Sequence, residues 1–177
     1  MKIENFSKSF SDVKVCYGNR FSDDRGFLNK NFFGDEFKFL MPSIDEVFYS
    51  SSKKNVIRGM HLQKKPNELK KLIYCIEGEI LDVFIDVRHN SSTFGELGSI
   101  KLKENDNLSI FLPEGFAHGY LTLSKNSKVL YLQSGIYSAN HEITINPLSI
   151  KFDWPISKPI LSKKDMNSIK FEEFLKV

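Results

Sequence analysis

At 177 residues the chain is long enough to bury one sizeable core, and a single domain over 1–177 is the expectation. Its 25 Lys and Arg against 22 Asp and Glu leave a formal net charge of +3, too weak a bias for a nucleic-acid surface. Met1–Phe10 carries no apolar run behind its charges, and no apolar stretch approaches the length of a bilayer span, so a soluble cytoplasmic protein is expected.

Sixteen Phe and an aromatic share of 13% suit sheets. Val13–Tyr17 alternates weakly and reads as a strand. Asp23, Asp24 and Gly26 make a turn, after which Phe27 through Phe33 resume an extended run. Asp35–Leu40 is a short helix before Pro42, and Ile44–Ser52 is a strand. The segment VIRGMHLQKKPNELKK, Val56–Lys71, turns on Gly59 and places Arg58 and His61 three residues apart. Side chains alternate along an extended chain, so a bulge at Gly59 decides whether those two converge. Leu69–Arg88 reads as a hairpin joined at Glu77-Gly78-Glu79, with Asp82 and Asp86 on one face of its second strand. Aspartates on such a face are wet, paired or lining a site.

Leu97–Leu102, Leu108–Leu112, Gly119–Leu123 and Lys128–Gly135 are further strands, with a tight turn at Pro113-Glu114-Gly115 and a short extended piece at Ile143–Ile145. A C-terminal helix is expected over about 163–176, with Phe171, Phe174 and Leu175 on one face. Cys16 and Cys75 lie among apolar residues and read as buried free thiols. Many short strands with little helix make an all-β fold, an antiparallel barrel or jelly roll with short flanking helices.

Four polar residues, His61, Lys71, His118 and Tyr131, stand where strand patterns call for core side chains, which points to a barrel with a ligand cavity. Taken singly, Arg58 and Arg25 read better as surface charges and His61 as a structurally bonded imidazole. Metal-binding cupin barrels pair an HxH and a nearby Glu with a distant PxGxxH turn. Here Pro113–His118 matches the turn, but His61-Leu62-Gln63 lacks the second His. His61, Glu68 and His118 remain a possible two-His, one-carboxylate set. The competing reading is a metal-free barrel in which His61 moves protons.

Several motifs fall in order over about residues 20 to 165: FSDDRGF, KKNVIRGMHLQ, KLIYCIEGEILDVFIDVR, SSTFG, LPEGFAHGYLTLS, the pair Trp154-Pro155 and LSKKD. Together they resemble the dTDP-4-dehydrorhamnose 3,5-epimerase family, the RmlC-like cupins of nucleotide-sugar metabolism. The resemblance implies a cupin-type jelly roll that needs neither metal nor other cofactor. It implies catalytic roles for His61 as base, Asp165 as its carboxylate partner, Tyr131 as acid and Lys71 as the cation beside the C4 oxygen. Arg58 resembles the pyrophosphate clamp, with Arg25 reaching in from a neighbouring subunit of a homodimer whose contacts engage the strands of about 1–50. His118 and Lys164 match positions near the sugar or phosphates, Asp82 and Asp86 match supporting positions, and Phe27, Tyr137 and Glu142 join the substrate-binding set.

The chain departs from the dTDP type at the nucleotide end. Lys30 replaces an acidic residue, and Glu46 and Phe48 replace a Gln and Asn pair. An ammonium in place of an acceptor reverses the hydrogen-bond demand, which opens CDP or GDP as nucleotide beside dTDP. The activity implied is epimerisation of a nucleotide-linked 4-keto-6-deoxyhexose at C3, C5 or both, for a surface polysaccharide such as an O-antigen. Competing readings are a 3,4-ketoisomerase of the same fold, a non-catalytic sugar-nucleotide binder and a metal-dependent cupin.

Overall fold

The computed structural model describes residues 1–32 and 34–176. Thirteen strands run in chain order: β1 (Lys2–Asn5), β2 (Lys14–Tyr17), β3 (Asn19–Asp23), β4 (Gly26–Lys30), β5 (Glu46–Lys53), β6 (Ile57–Gln63), β7 (Lys70–Glu77), β8 (Glu79–Asp86), β9 (Leu97–Lys103), β10 (Leu108–Leu112), β11 (Phe116–Thr122), β12 (Asn126–Ser134) and β13 (Glu142–Thr144). Three short helices are α1 (Asp35–Leu40), α2 (Lys163–Met166) and α3 (Phe171–Phe174). One sheet has the order β1-β2-β10-β7-β12-β5 and faces a second of order β13-β6-β11-β8-β9. The pairings are antiparallel, and β3 with β4 forms a separate ribbon. This is the all-β jelly roll expected from the strand spacing. Phe33, the end of the extended run expected after Gly26, lies outside the described residues.

Strand periodicity explains the layering. Along β8, Ile80 and Phe84 point between the sheets, where they pack with Ile73, Leu102, Ile110, Phe116 and Tyr120. Val83 and Ile85 alternate with them and lie under the C-terminal segment with Met60, Ala117, Ile145 and Phe171. The outer face of the six-stranded sheet is covered by α1 through Phe37, against Cys16, Leu72, Phe111 and Leu132. Both cysteines are free and buried, and burial pushes each thiol up to about 12.

Two expectations are corrected. Leu69–Arg88 is no hairpin: β7 pairs with β10 and β12, whereas β8 pairs with β11 and β9, so Glu77-Gly78-Glu79 carries the chain from one sheet to the other. Two apolar runs joined by a turn look alike in both cases. What distinguishes them is that each strand lies inside its own sheet with a partner on either side, and β8 is buried over most of its length. Gly78 sits at the corner with φ +79°, and a Cβ there would lie 2.2 Å from the Asn126 carbonyl oxygen. The C-terminal helix is two single turns, α2 and α3. Between them Ile169 bridges to Ile145 and accepts from the Asn146 N–H, which holds the backbone extended. Phe171, Phe174 and Leu175 still share one buried side.

Candidate active site

A regular strand would put Arg58 and His61 on opposite faces. On β11, however, His118 pairs with His61 and Tyr120 with Arg58, so β6 spends one residue more than its partner over the same step. Gly59 absorbs the irregularity at φ +128°, where a Cβ would lie 2.5 Å from Gly119 Cα and 2.8 Å from the His118 carbonyl oxygen. Arg58 and His61 consequently line the same cavity, of about 260 Å³, between the two sheets. His61 and His118 reach it from the five-stranded sheet. Phe48, Lys71, Tyr131 and Gln133 reach it from the six-stranded sheet, and Tyr137 and Glu142 close one side.

Each imidazole has its own carboxylate. His61 Nε2 lies 2.8 Å from Asp165 Oδ1, on α2, whose first turn is capped by the Ser162 hydroxyl accepting from the Asp165 N–H. Burial would raise Asp165, but hydrogen bonds from His61, the nearby imidazole, the Ser162 hydroxyl and the Gly59 N–H outweigh it and hold the carboxyl below its ordinary value. His118 Nε2 lies 2.8 Å from Asp82 Oδ2, and both are buried. Burial raises Asp82 and His118 opposes that shift. Lys71 donates to the His61 carbonyl oxygen at 3.3 Å, and desolvation brings its ammonium down to about 8 against the opposing pull of Glu142 and Asp82. Burial raises Tyr131 well above its usual value, so the phenol keeps its proton at neutral pH. Its ring stacks on Phe48 with centroids 4.8 Å apart, and His118 meets it edge on at 5.9 Å. Glu142 Oε2 accepts from the Tyr137 hydroxyl and pairs with Lys164, each at 2.6 Å.

The anticipated residues thus divide by position. His61, Lys71, His118, Tyr131, Arg58, Phe48, Tyr137 and Glu142 line the cavity; Asp165 and Lys164 touch it through His61 and Glu142. Glu46 lies in the adjoining depression with Asp45, Phe48 and Tyr137, where it accepts from the Gln133 amide. Arg25 and Phe27 are exposed on the β3–β4 ribbon with Lys30, away from the cavity lining, and Arg25 pairs with Asp23 at 2.6 Å. Asp86 does not support the cavity. It binds Arg88, Ser91 and Thr93 and anchors the loop after β8. The set His61, Glu68 and His118 is not assembled, since Glu68 lines a separate groove with Lys64, Lys65 and His89.

Three polar lining residues, Ser50, Gln63 and Gln133, were not anticipated as part of a metal-free site. Each stands two residues beyond an anticipated one (Phe48, His61, Tyr131), so the strand period alone would have found them. Buried Gln63 ties two loops together, donating to the Asn67 and Ile136 carbonyl oxygens and accepting from the Ser138 N–H.

A proton-accepting imidazole on one sheet and a protonated phenol on the other, across a cavity of sugar size, are the parts of a two-sided proton exchange. Comparison with known proteins leads to the same chemistry. A family model described as dTDP-4-dehydrorhamnose 3,5-epimerase matches residues 7–173. The dTDP-4-dehydrorhamnose 3,5-epimerase of Salmonella typhimurium is 38% identical over 160 residues, covering 87% of this chain and 87% of that protein. The crystal structure of the dTDP-4-dehydrorhamnose 3,5-epimerase from Sulfolobus tokodaii superposes with a TM-score of 0.89 at 35% identity, over 97% of this chain and 96% of that one. A Legionella pneumophila dTDP-6-deoxy-D-glucose-3,5-epimerase, solved with dTDP-4-keto-L-rhamnose, gives a TM-score of 0.88 at 28% identity, over 97% and 93%. With its length, fold and sequence matched nearly end to end, the chain belongs to the dTDP-4-dehydrorhamnose 3,5-epimerase family of isomerases.

Proposed function

We propose that this chain inverts C3, C5 or both in a nucleotide-linked 4-keto-6-deoxyhexose. The C4 ketone acidifies the adjacent C–H. His61, held by Asp165, takes that proton, and the bonding pair moves into an enolate whose negative oxygen faces the Lys71 ammonium. The Tyr131 O–H returns a proton to the carbon from the opposite side, the ketone reforms with its neighbour inverted, and the phenolate regains a proton from solvent. The observation that carries this reading is that His61 and Tyr131, on opposing sheets, line one cavity. Arg58 holds the pyrophosphate, and Arg25, Phe27 and Lys30 act on a second copy of the chain in a homodimer, because within one copy their ribbon stands away from the cavity. Glu142, Lys164, His118 and Tyr137 bind sugar and phosphate.

The nucleotide is dTDP, CDP or GDP. The names of the relatives favour dTDP, whereas the Glu46 carboxylate in the depression beside the cavity favours a base bearing an amino group. The product feeds surface-polysaccharide sugar synthesis in the cytoplasm. Incubation with nucleotide 4-keto-6-deoxyhexoses in deuterated water tests the chemistry: deuterium enters at C3 or C5, and His61→Ala abolishes its entry while nucleotide binding persists. Intact C–H signals with every nucleotide would leave only a binding protein. Calorimetry with dTDP, CDP, UDP and GDP ranks the nucleotides, and sedimentation tests the dimer.

A further inference from the structure

Phe48 and Tyr131 are direct register partners on β5 and β12. Their rings lie 12° from parallel at 4.8 Å, an offset-stack distance, while His118 abuts the same phenol edge on. The neighbouring Tyr120 is oriented differently, with its hydroxyl between the Ser50 and Ser52 hydroxyls at 2.9 Å each. Tyr131 also meets Ser50 at its hydroxyl, but its ring is held by other rings on two sides. The phenol oxygen lies on its ring axis, so its aim is set by χ1, and a ring stacked on one side with another abutting from a second limits the swing about that bond.

Phe48 contributes little elsewhere. It lies on the edge strand of its sheet, is 44% exposed, and belongs to none of the three core clusters. Its ring is invested in Tyr131 and the cavity mouth.

Resting on the reading above, we propose that Phe48 is a positioning residue that holds the Tyr131 phenol aimed at the sugar face opposite His61, and thereby sets the fraction of enolates that end inverted. The enolate carbon has two proton sources. Protonation by the Tyr131 O–H inverts the centre. Return of a proton from the His61 imidazolium restores the starting configuration. His61 has a side chain 37% exposed and trades that proton with solvent, so in deuterated water both routes leave deuterium on carbon and only the first changes configuration.

The test follows deuterium in retained and in inverted sugar, with kcat and KM, for the parent protein and for Phe48→Ala, Phe48→Leu and Phe48→Tyr. The sugar nucleotide used is one that the parent inverts. Phe48→Ala and Phe48→Leu should lower the inversion rate by about tenfold or more, since a misdirected general acid forfeits part of its contribution. Deuterium in the retained sugar should stay within about twofold of the parent, and Phe48→Tyr should restore the parent's partition. If Phe48→Ala fails to fold, Phe48→Leu decides by the same criteria. An unchanged ratio of retention to inversion with a raised KM would make Phe48 a wall of the binding site and overturn the proposal. A proportional loss on both routes would overturn it too. A parent that incorporates deuterium without inverting any centre removes the acid's task and the proposal with it, while the role of His61 stands. A parent that does neither fails the epimerase reading itself.

Discussion

His61 and His118 face each other in register across β6 and β11, yet each imidazole is bonded at 2.8 Å to a different carboxylate, Asp165 for the first and Asp82 for the second. The half-exposed His61 pair can exchange protons with solvent, and the buried His118 pair is sealed from it. On the proposed mechanism the first imidazole moves a proton, and the second contacts the substrate without exchanging one.

Asp165→Asn should lower kcat by roughly 10²- to 10⁴-fold, with nucleotide affinity little changed, because an amide can bond the wrong imidazole tautomer and offers no charge to the imidazolium. Steady-state kinetics together with nucleotide calorimetry checks this. A fall confined to affinity would place Asp165 in binding.

Lys71 titrates at about 8, because desolvation disfavours its ammonium. The cation that the proposed mechanism sets beside the enolate is then lost as pH rises through about 8, and the rate should fall on that limb. Lys71→Arg, charged throughout, should show a lower rate without the alkaline fall. The stability effect has the opposite sense. A folded value below the unfolded 10.5 means that the charged form opposes folding at neutral pH, and this opposition fades as pH rises through about 8. Lys71→Met should raise the unfolding free energy at pH 7, by about 3 kcal/mol at most.

Asp86 is held down to about 2: burial would raise it, but hydrogen bonds from Arg88, Ser91 and Thr93 prevail. Its folded value lies below the unfolded 3.8, so its contribution is present above that value and is lost as pH falls towards 2. Asp86→Asn should cost about 2 kcal/mol at neutral pH, a difference that shrinks below about pH 4. Denaturant unfolding at a series of pH values measures it, and catalysis per folded molecule should be unaffected.

Gly59→Ala should destabilise the fold by more than about 2 kcal/mol, since the new methyl would collide with the Gly119 backbone at a φ that L-residues avoid. In any folded remainder Arg58 and His61 should lose their common face, so nucleotide binding and proton exchange should fall together. Thermal melting and calorimetry report the two losses.

Much of the site was legible because strands have a period of two. His61, Lys71, His118 and Tyr131 broke an apolar pattern, and all four line the cavity. The convergence of Arg58 with His61 was readable as a question, since Gly59 marked a break, but its answer needed the partner strand's register. The corner at Gly78 was misread because a local pattern does not record which sheet a strand joins. The C-terminal helix was broken by a long-range bridge from Ile169 to Ile145 that periodicity cannot foresee. Asp86 shares a face with Asp82 in sequence, but it sits at the strand's end, where the loop claims it.

The corner at Gly78 has a consequence for assembly. It sends Lys71 and Asp82, eleven residues apart, to opposing sheets, so the cavity is complete only when both layers have formed. A folding intermediate with only one layer formed would be blind to substrate. Tight ligands should accordingly protect the whole barrel's amides from hydrogen exchange rather than a local patch, because occupancy is reserved for the finished architecture.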